Sequence, residues 1–138
     1  MITIDGRADL AGMNISELET YLEALGEPKY RAKQIFSWIH RGIGIDEMTN
    51  LPKKLRDTLK ESACVYFPTI EQKLVSKLDG TIKNLFGLYD GNVVEGVFMR
   101  YKHGNTLCIS SEVGCPMGCK FCASTIGGLV RKLLPSEL

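Results

Sequence analysis

The sequence predicts an α+β protein in which an N-terminal helical domain precedes a small antiparallel β-sheet and a cysteine-rich loop. Three observations support this prediction. Apolar residues recur at helical spacing up to about residue 63, and from residue 68 onward apolar and polar residues alternate as in half-buried strands. A group of cysteines then follows near residue 120. We therefore divide the chain into a helical domain, residues 1–64, and a second part, residues 65–138.

The composition is typical of a soluble globular protein. Of the 138 residues, 44% are hydrophobic and 24% are charged, and the length suits one ordinary domain or two small ones. A net charge of +1 provides no general attraction for nucleic acid. The N-terminal residues contain no apolar run long enough for a signal peptide or a membrane span. We expect a cytoplasmic protein with no membrane partner.

Capping residues and prolines predict three helices in the N-terminal domain. They cover residues 14–26, 28–42 and 50–63. The first begins with Asn or Ser as cap, the second with Pro and the third with Asn-Leu-Pro, and the first two each end at a Gly. The residues predicted to face inward are Leu18, Tyr21, Leu22, Leu25, Tyr30, Ile35, Trp38, Ile39, Leu55 and Leu59. Residues 1–13 carry little pattern, and we expect an extended or disordered start there.

The predicted helices carry basic residues that allow two interpretations. They are Lys29, Lys33, Arg41, Lys53, Lys54, Arg56 and Lys60. One interpretation is a face that contacts RNA phosphates, and the other is the ordinary solvated side of small amphipathic helices. Phosphate contacts dominate nucleic-acid affinity only where positive charge is concentrated, and acidic residues are equally numerous here. The sequence leaves both open.

Alternation and turn signals predict an antiparallel meander of four short strands in the second part. Asp79-Gly80 and Asp90-Gly91 mark two of its turns, because Asp-Gly is a strong hairpin signal. The fourth strand, at residues 106–110, leads directly into the cysteine-rich loop. Groups at the ends of rigid strands hold their geometry well, so this arrangement suits a functional site.

Two side chains in this meander allow either a structural or a functional interpretation. Glu95 lies in an apolar strand, where a carboxylate is costly unless it is paired or functional; an outward-facing edge charge is the alternative. Cys108 lies seven residues before the first thiol of the cysteine-rich loop; the structural alternative for it is a small buried hydrophobic residue, the common location of a free cysteine. Cys64 receives the same structural interpretation.

The loop at residues 114–122 carries three thiols, Cys115, Cys119 and Cys122, at C-x3-C-x2-C spacing. Small or turn-forming residues lie between the first two thiols, so the loop can direct its thiolates toward one centre. A [4Fe–4S] cubane takes one ligand per iron, and three cysteines therefore leave one iron for a non-protein ligand. An open metal position is typical of catalytic sites. The spacing favours a catalytic cluster.

A structural zinc site is the alternative use of the same thiols. Cys119 and Cys122 form the C-x2-C pair that zinc prefers, and Cys115 with His103 or Cys108 completes four ligands. No second C-x2-C pair exists, and the x3 spacing is unusual for zinc. Disulfides are less favoured, because the chain has an odd number of cysteines, five, and no visible signal peptide.

These segments resemble a known family. Residues 106–124, TLCISSEVGCPMGCKFCAS, resemble the cluster segment of the dual-specificity 23S ribosomal RNA (adenine-C2)-methyltransferases, a radical S-adenosylmethionine (SAM) family. Residues 30–40 and 50–56 resemble its N-terminal helical domain, and residues 94–100 resemble the strand before the cluster segment. Related antibiotic-resistance methyltransferases share these features. The resemblance implies that the second part begins a radical-SAM (β/α) partial barrel.

The resemblance also implies a role for each candidate residue. Cys115, Cys119 and Cys122 match the ligands of a [4Fe–4S] cluster that binds SAM and is reduced by an electron donor. Cys108 matches the second catalytic cysteine, which forms a disulfide with a methyl-carrying cysteine to release product. Glu95 matches the proton acceptor. The implied substrates and partners are 23S rRNA and tRNA, each modified at an adenosine.

The sequence departs from the family pattern in extent. The methyl-carrying cysteine and the segments that bind the SAM ribose and adenine lie downstream in the family and have no counterpart here. Residues 134–138 show a helix start with Ser136 as cap and Glu137 in the first turn. We expect an N-terminal portion of a larger enzyme, inactive by itself; an RNA-binding module with structural zinc is the alternative. The sequence predicts neither the oligomeric state nor the adenine carbon modified.

Overall fold

The computed structural model describes residues 3–138 and confirms the α+β class. The chain divides into two compact units, the first ending at Phe67 and the second beginning at Pro68. Each unit has a cluster of buried apolar side chains of its own. Within the described residues, no helix has the length and apolar character needed to cross a membrane.

Three helices form most of the first unit: α1 (Ile15–Ala24), α2 (Tyr30–Ile39) and α3 (Lys53–Ser62). Asn14 caps α1 in the predicted position. Its side-chain oxygen accepts a hydrogen bond from the Glu17 amide at 3.0 Å, and the Glu17 carboxylate accepts one from the Asn14 amide at 2.8 Å. α3 begins directly after Pro52, again as predicted.

A small sheet completes the first unit and was not predicted from the sequence. β1 (Thr3–Ile4) pairs antiparallel with β2 (Arg7–Asp9), which pairs parallel with β3 (Ala63–Cys64). Of the two alternatives for residues 1–13, an extended start is therefore correct for the strands; residues 1 and 2 lie outside the described residues. Strands of two or three residues are too short to show the alternation that identifies a strand.

The prediction that Tyr30 faces the core is wrong. Tyr30 is 57% exposed, whereas Ile35 is fully buried and Ile39 is nearly so. At about 100° per residue, Tyr30 lies on the opposite side of α2 from Ile39. Trp38 falls at the edge of the buried face and is partly buried. The helical period, applied to all ten residues of α2, therefore explains which aromatic ring reaches the core.

The second unit contains the predicted four-stranded meander: β4 (Thr69–Val75), β5 (Ile82–Gly87), β6 (Val93–Tyr101) and β7 (Gly104–Ile109), paired in sequence order. Asp79 and Asp90 accept hydrogen bonds from the amides two residues later, which confirms both turns. β8 (Glu112–Gly114) and β9 (Leu129–Lys132) then pair with each other. All strand pairs in this unit are antiparallel.

We expect Ile35→Ala to lower the free energy of unfolding of the first unit by about 2–5 kcal/mol, because it leaves a cavity in a packed core. The control Tyr30→Ala, on the exposed side of the same helix, changes it by about 0.5 kcal/mol or less. Urea unfolding followed by the fluorescence of Trp38, the only tryptophan in the chain, measures both. Equal losses in the two variants would contradict the orientation of α2.

Candidate metal centre

The three predicted cluster ligands lie in one loop that β8 and β9 close at its base. Beyond the strand pairing, the Cys115 amide donates a hydrogen bond to the Gly128 carbonyl oxygen at 3.1 Å. Cys115 therefore lies at the entrance of the loop, and Cys119 and Cys122 lie within it. The fold gathers all three thiols on one closed segment of chain.

Gly114 makes this closure possible. Its φ is +76°, a left-handed conformation that side chains rarely adopt. A Cβ atom at this position would also collide with the Gly128 carbonyl oxygen, the acceptor of the Cys115 amide. The two segments at the base of the loop approach each other closely because Gly114 carries no side chain where it meets the Gly128 backbone.

Thr125 contacts the backbone of two predicted ligands. Its hydroxyl lies 3.1 Å from the Cys119 carbonyl oxygen and 2.9 Å from the Cys122 carbonyl oxygen, and its single proton is shared between them. The Cys122 amide also donates to the Cys119 carbonyl oxygen at 3.1 Å. These bonds hold the second half of the loop in a compact turn. No role was predicted for Thr125, whose only sequence signal is its position three residues after Cys122.

The donor set suits an iron–sulfur cluster. All three thiols are free and partly buried, and thiolate is the ligand that such clusters take. Among residues 3–138, no three Cys, His, Asp or Glu side chains are arranged to hold a single metal ion. A zinc site would require its ligands to converge at about 2.0–2.3 Å from one ion. A cubane takes each thiolate on a different iron, so its three thiolates surround a cluster rather than a single ion.

Glu95 and Cys108 lie on the same face of the four-stranded sheet. Val97 pairs with Cys108 across β6 and β7, and alternate residues of a strand point to one side, so Glu95, Val97 and Cys108 share that side. Cys108 is exposed, which makes the prediction of a buried hydrophobic residue wrong. The reason is that β7 is the edge strand of the sheet.

Glu95 faces outward, but it does not lie on an edge strand. It lies on β6, an interior strand of the meander, and its carboxylate is 2.6 Å from the Lys83 ammonium of β5. Both side chains are about half exposed. Such cross-strand pairs between exposed charges add little stability, so this pair chiefly orients the carboxylate.

Cys64 differs from the other cysteines. It ends β3 in the first unit and is partly buried. Burial raises the pKa of its thiol, and the neighbouring Asp9 carboxylate raises it further. The thiolate is the form that binds metals and reacts, so these effects favour the structural interpretation of Cys64.

An ion-pair network joins β9 to the turn between β5 and β6. The Arg131 guanidinium contacts the Glu137 carboxylate at 2.7 and 2.8 Å and the Asp90 carboxylate at 2.6 Å. The hydrogen bond from Arg131 holds the pKa of Asp90 well below its usual range, and the bonds to Glu137 and Asp90 raise the pKa of Arg131. Asp90 and Arg131 therefore stay charged through neutral and mildly acidic pH.

Glu137 also replaces the predicted helix cap. Its side chain is fully buried, and its carboxylate accepts a hydrogen bond from the Leu134 amide at 2.8 Å. Leu134 is thus the N-cap of the short 3-10 turn Pro135–Glu137, and the prediction of Ser136 as the cap is wrong. Sequence reasoning missed this role because the Arg131 partner of Glu137 becomes apparent only after folding.

Comparison with known proteins identifies relatives of both parts of the chain. Residues 8–65 match the family described as "Ribosomal RNA large subunit methyltransferase N-terminal domain". A protein of Alkaliphilus metalliredigens (strain QYMF), named "Probable dual-specificity RNA methyltransferase RlmN", is 52% identical over 133 residues, which cover 96% of this chain and 38% of that protein. One of the same name from Alkaliphilus oremlandii (strain OhILAs) is 53% identical, covering 96% and 39%.

A solved structure shares the fold across most of the chain. A radical SAM methyltransferase from Sphaerobacter thermophilus superposes with a TM-score of 0.80 at 42% identity, covering 91% of this chain and 38% of that one. The present chain thus spans less than half the length of the relatives it matches.

We expect Gly114→Ala to open the base of the cysteine loop, since the added methyl group meets the Gly128 carbonyl oxygen. Hydrogen exchange measured by NMR should show loss of protection at the Cys115 amide, which bonds that oxygen. The control Gly127→Ala adds a methyl group in the same loop with nothing within 4 Å, and it should leave protection unchanged. Full Cys115 protection in Gly114→Ala would refute this role for Gly114.

We expect Arg131→Met to destabilise the second unit by about 3–5 kcal/mol, because it leaves the buried Glu137 carboxylate without its cation. The double variant Arg131→Met/Glu137→Leu should lose less, since no uncompensated buried charge remains. Native-state hydrogen exchange of β8 and β9 amides measures both. The single variant Glu137→Leu completes the comparison. If the double variant lost as much free energy of unfolding as the two single variants together, the pair would not be coupled.

Proposed function

We propose that this chain is the N-terminal portion of a radical SAM RNA methyltransferase. The match of residues 8–65 to the family described as "Ribosomal RNA large subunit methyltransferase N-terminal domain" supports the proposal. The observation that carries the proposal is the closed loop that gathers three free thiols at C-x3-C-x2-C spacing. The radical SAM methyltransferase with the same fold supports it. The proposed substrates are an adenosine of 23S rRNA and one of tRNA.

The loop residues have distinct tasks in this proposal. Cys115, Cys119 and Cys122 hold a [4Fe–4S] cluster, and Thr125 fixes the backbone of the last two through their carbonyl oxygens. When bound, the cluster and SAM supply radical chemistry, with an external donor providing the electron. Gly114 allows the loop base to close, which keeps the three cysteines on one closed segment of chain. The reducing conditions that such a cluster needs suit a cytoplasmic protein.

The exposed sheet face provides the other two proposed catalytic groups. Glu95 is assigned as the proton acceptor, and Lys83 holds its carboxylate on that face. Cys108 is assigned as the thiol that forms a disulfide with the methyl-carrying cysteine. A disulfide requires Cα atoms within about 4.4–6.8 Å, so the partner thiol must approach this face directly, and the exposure of Cys108 permits that approach.

These 138 residues by themselves should bind the cluster without transferring a methyl group. The family's methyl-carrying cysteine has no counterpart among the five cysteines here: three are assigned to the cluster, Cys108 to product release, and Cys64 to the first unit. We therefore assign methyl transfer to the longer protein and cluster binding to this chain.

Anaerobic reconstitution with iron and sulfide tests the proposal. We expect about four irons per chain and a broad visible absorbance band, as for a [4Fe–4S] cluster. Cys115→Ser, Cys119→Ser or Cys122→Ser should each sharply reduce iron content. Cys64→Ser and Cys108→Ser are the controls and should retain it.

Addition of SAM to the reduced cluster should change its electron paramagnetic resonance spectrum, since one iron lacks a protein ligand. The alternative function, an RNA-binding module with structural zinc, predicts a different result. One zinc ion per chain, lost on replacement of Cys108 or His103, with no cluster assembled from iron and sulfide, would overturn the cluster assignment.

A further inference from the structure

The hairpin tip between β6 and β7 concentrates positive charge without acidic neighbours. Lys102 and His103 form its two-residue loop, and Arg100 and Tyr101 end the strand before it. All four side chains are exposed. The surrounding sequence, residues 96–111, contains no Asp or Glu. The local charge therefore differs strongly from the chain's net charge of +1.

The charges at this tip are available to an external anion. Within the described part of the chain, neither Arg100 nor Lys102 has an ion-pair partner. Lys29 and Lys60, two of the helical residues predicted as a phosphate-contacting face, each pair with a nearby carboxylate. At Lys29 and Lys60 an RNA phosphate would have to displace that carboxylate, whereas at the tip it meets a cation without an ion-pair partner.

The tip also presents a flat aromatic surface. The rings of Tyr101 and His103 stack with centroids 5.1 Å apart and planes 10° from parallel. Tyr101 is 52% exposed, and its hydroxyl donates to the Met99 sulfur at 3.3 Å, which restrains the ring. Unpaired RNA bases stack on aromatic side chains of this kind, with cationic side chains beside them for the phosphates.

The same face leads toward the proposed reaction site. Alternation along β6 places Tyr101 on the side of the sheet that carries Glu95 and Cys108. At about 3.3 Å per residue, Tyr101 lies about 13 Å along the strand from the pair Val97–Cys108. An RNA strand bound at the tip can thus extend along the face toward the Cys108 thiol.

Resting on the proposed methyltransferase function, we propose that the hairpin tip, residues 99–105, binds single-stranded RNA. Tyr101 stacks an unpaired base and Lys102 contacts a flanking phosphate. Arg100, whose guanidinium lies over the Phe98 ring on the other face of the sheet, contacts a phosphate where the strand crosses the tip. Duplex RNA hides its base faces within the helix, so the ligand is an RNA loop rather than a stem. An acidic protein segment would use the charges but not the stacked rings.

A fluorescein-labelled RNA stem-loop with unpaired adenosines, titrated with the 138-residue chain and followed by anisotropy over a salt series, tests this surface. Tyr101→Ala should weaken binding at least about fivefold, because base stacking is lost. Tyr101→Phe keeps the ring and should leave Kd within about twofold. Arg100→Gln/Lys102→Gln should reduce the salt slope by about 1.4, at about 0.7 for each single-strand phosphate contact.

The matched control Lys73→Gln/Lys77→Gln removes the same charge from β4 and the turn after it, where both lysines are exposed. If the hairpin charge variant loses no more RNA affinity than the control variant, the loss reflects net charge alone and the proposal is overturned. Unchanged RNA affinity in all hairpin variants, or no RNA binding by the unaltered chain, would also overturn it. Polyglutamate that competes as well as RNA would indicate an acidic protein partner and also overturn it. Shifts of the amides of residues 99–105 in NMR spectra on RNA addition would support it, without relying on any variant.

Cluster assembly separates this proposal from the proposed function. Every hairpin variant should take up iron and sulfide like the unaltered chain, because residues 99–105 do not contact the cysteine loop in this proposal. Loss of RNA binding with normal iron content therefore concerns the hairpin alone. Normal RNA binding with no cluster would retain the hairpin surface but contradict the cluster assignment.

Discussion

The pairing of β8 with β9 is the constraint on which the cysteine loop depends. Three thiols in a flexible segment would sample many separations, and bringing them together would cost chain entropy each time. The strand pair, with the Cys115–Gly128 hydrogen bond beyond it, incurs that cost during folding. Gly114 allows it because a side chain there would meet the Gly128 carbonyl oxygen. The spacing of the cysteines is useful only because the segment is closed.

A charged network stabilises the strand that provides one side of this closure. Placing the Glu137 carboxylate in the interior is costly, and only a well-aligned cation offsets the loss of hydration. Arg131 supplies two parallel bonds to it and a third to the Asp90 turn. The network therefore favours one arrangement of β9 over alternatives, because a shifted register would leave these charges unpaired.

Local signals predicted the elements whose determinants lie within a few residues. The capping box of Asn14 and Glu17 and the turns at Asp79 and Asp90 are such cases, because their hydrogen bonds join neighbours in sequence. The candidate ligands were recognisable from spacing alone. The closure of their loop was not, since the contact of Cys115 with Gly128 depends on how the chain returns.

Cys64 has a consequence for how the molecule withstands oxidants. Its raised thiol pKa keeps it protonated at neutral pH, and a protonated sulfur attacks peroxides and electrophiles slowly. Exposure to air should therefore oxidise the Cys64 thiol more slowly than a thiol of ordinary pKa. Alkylating reagents applied briefly to the folded chain should leave Cys64 unlabelled, which would provide an internal marker of whether the helices remain intact.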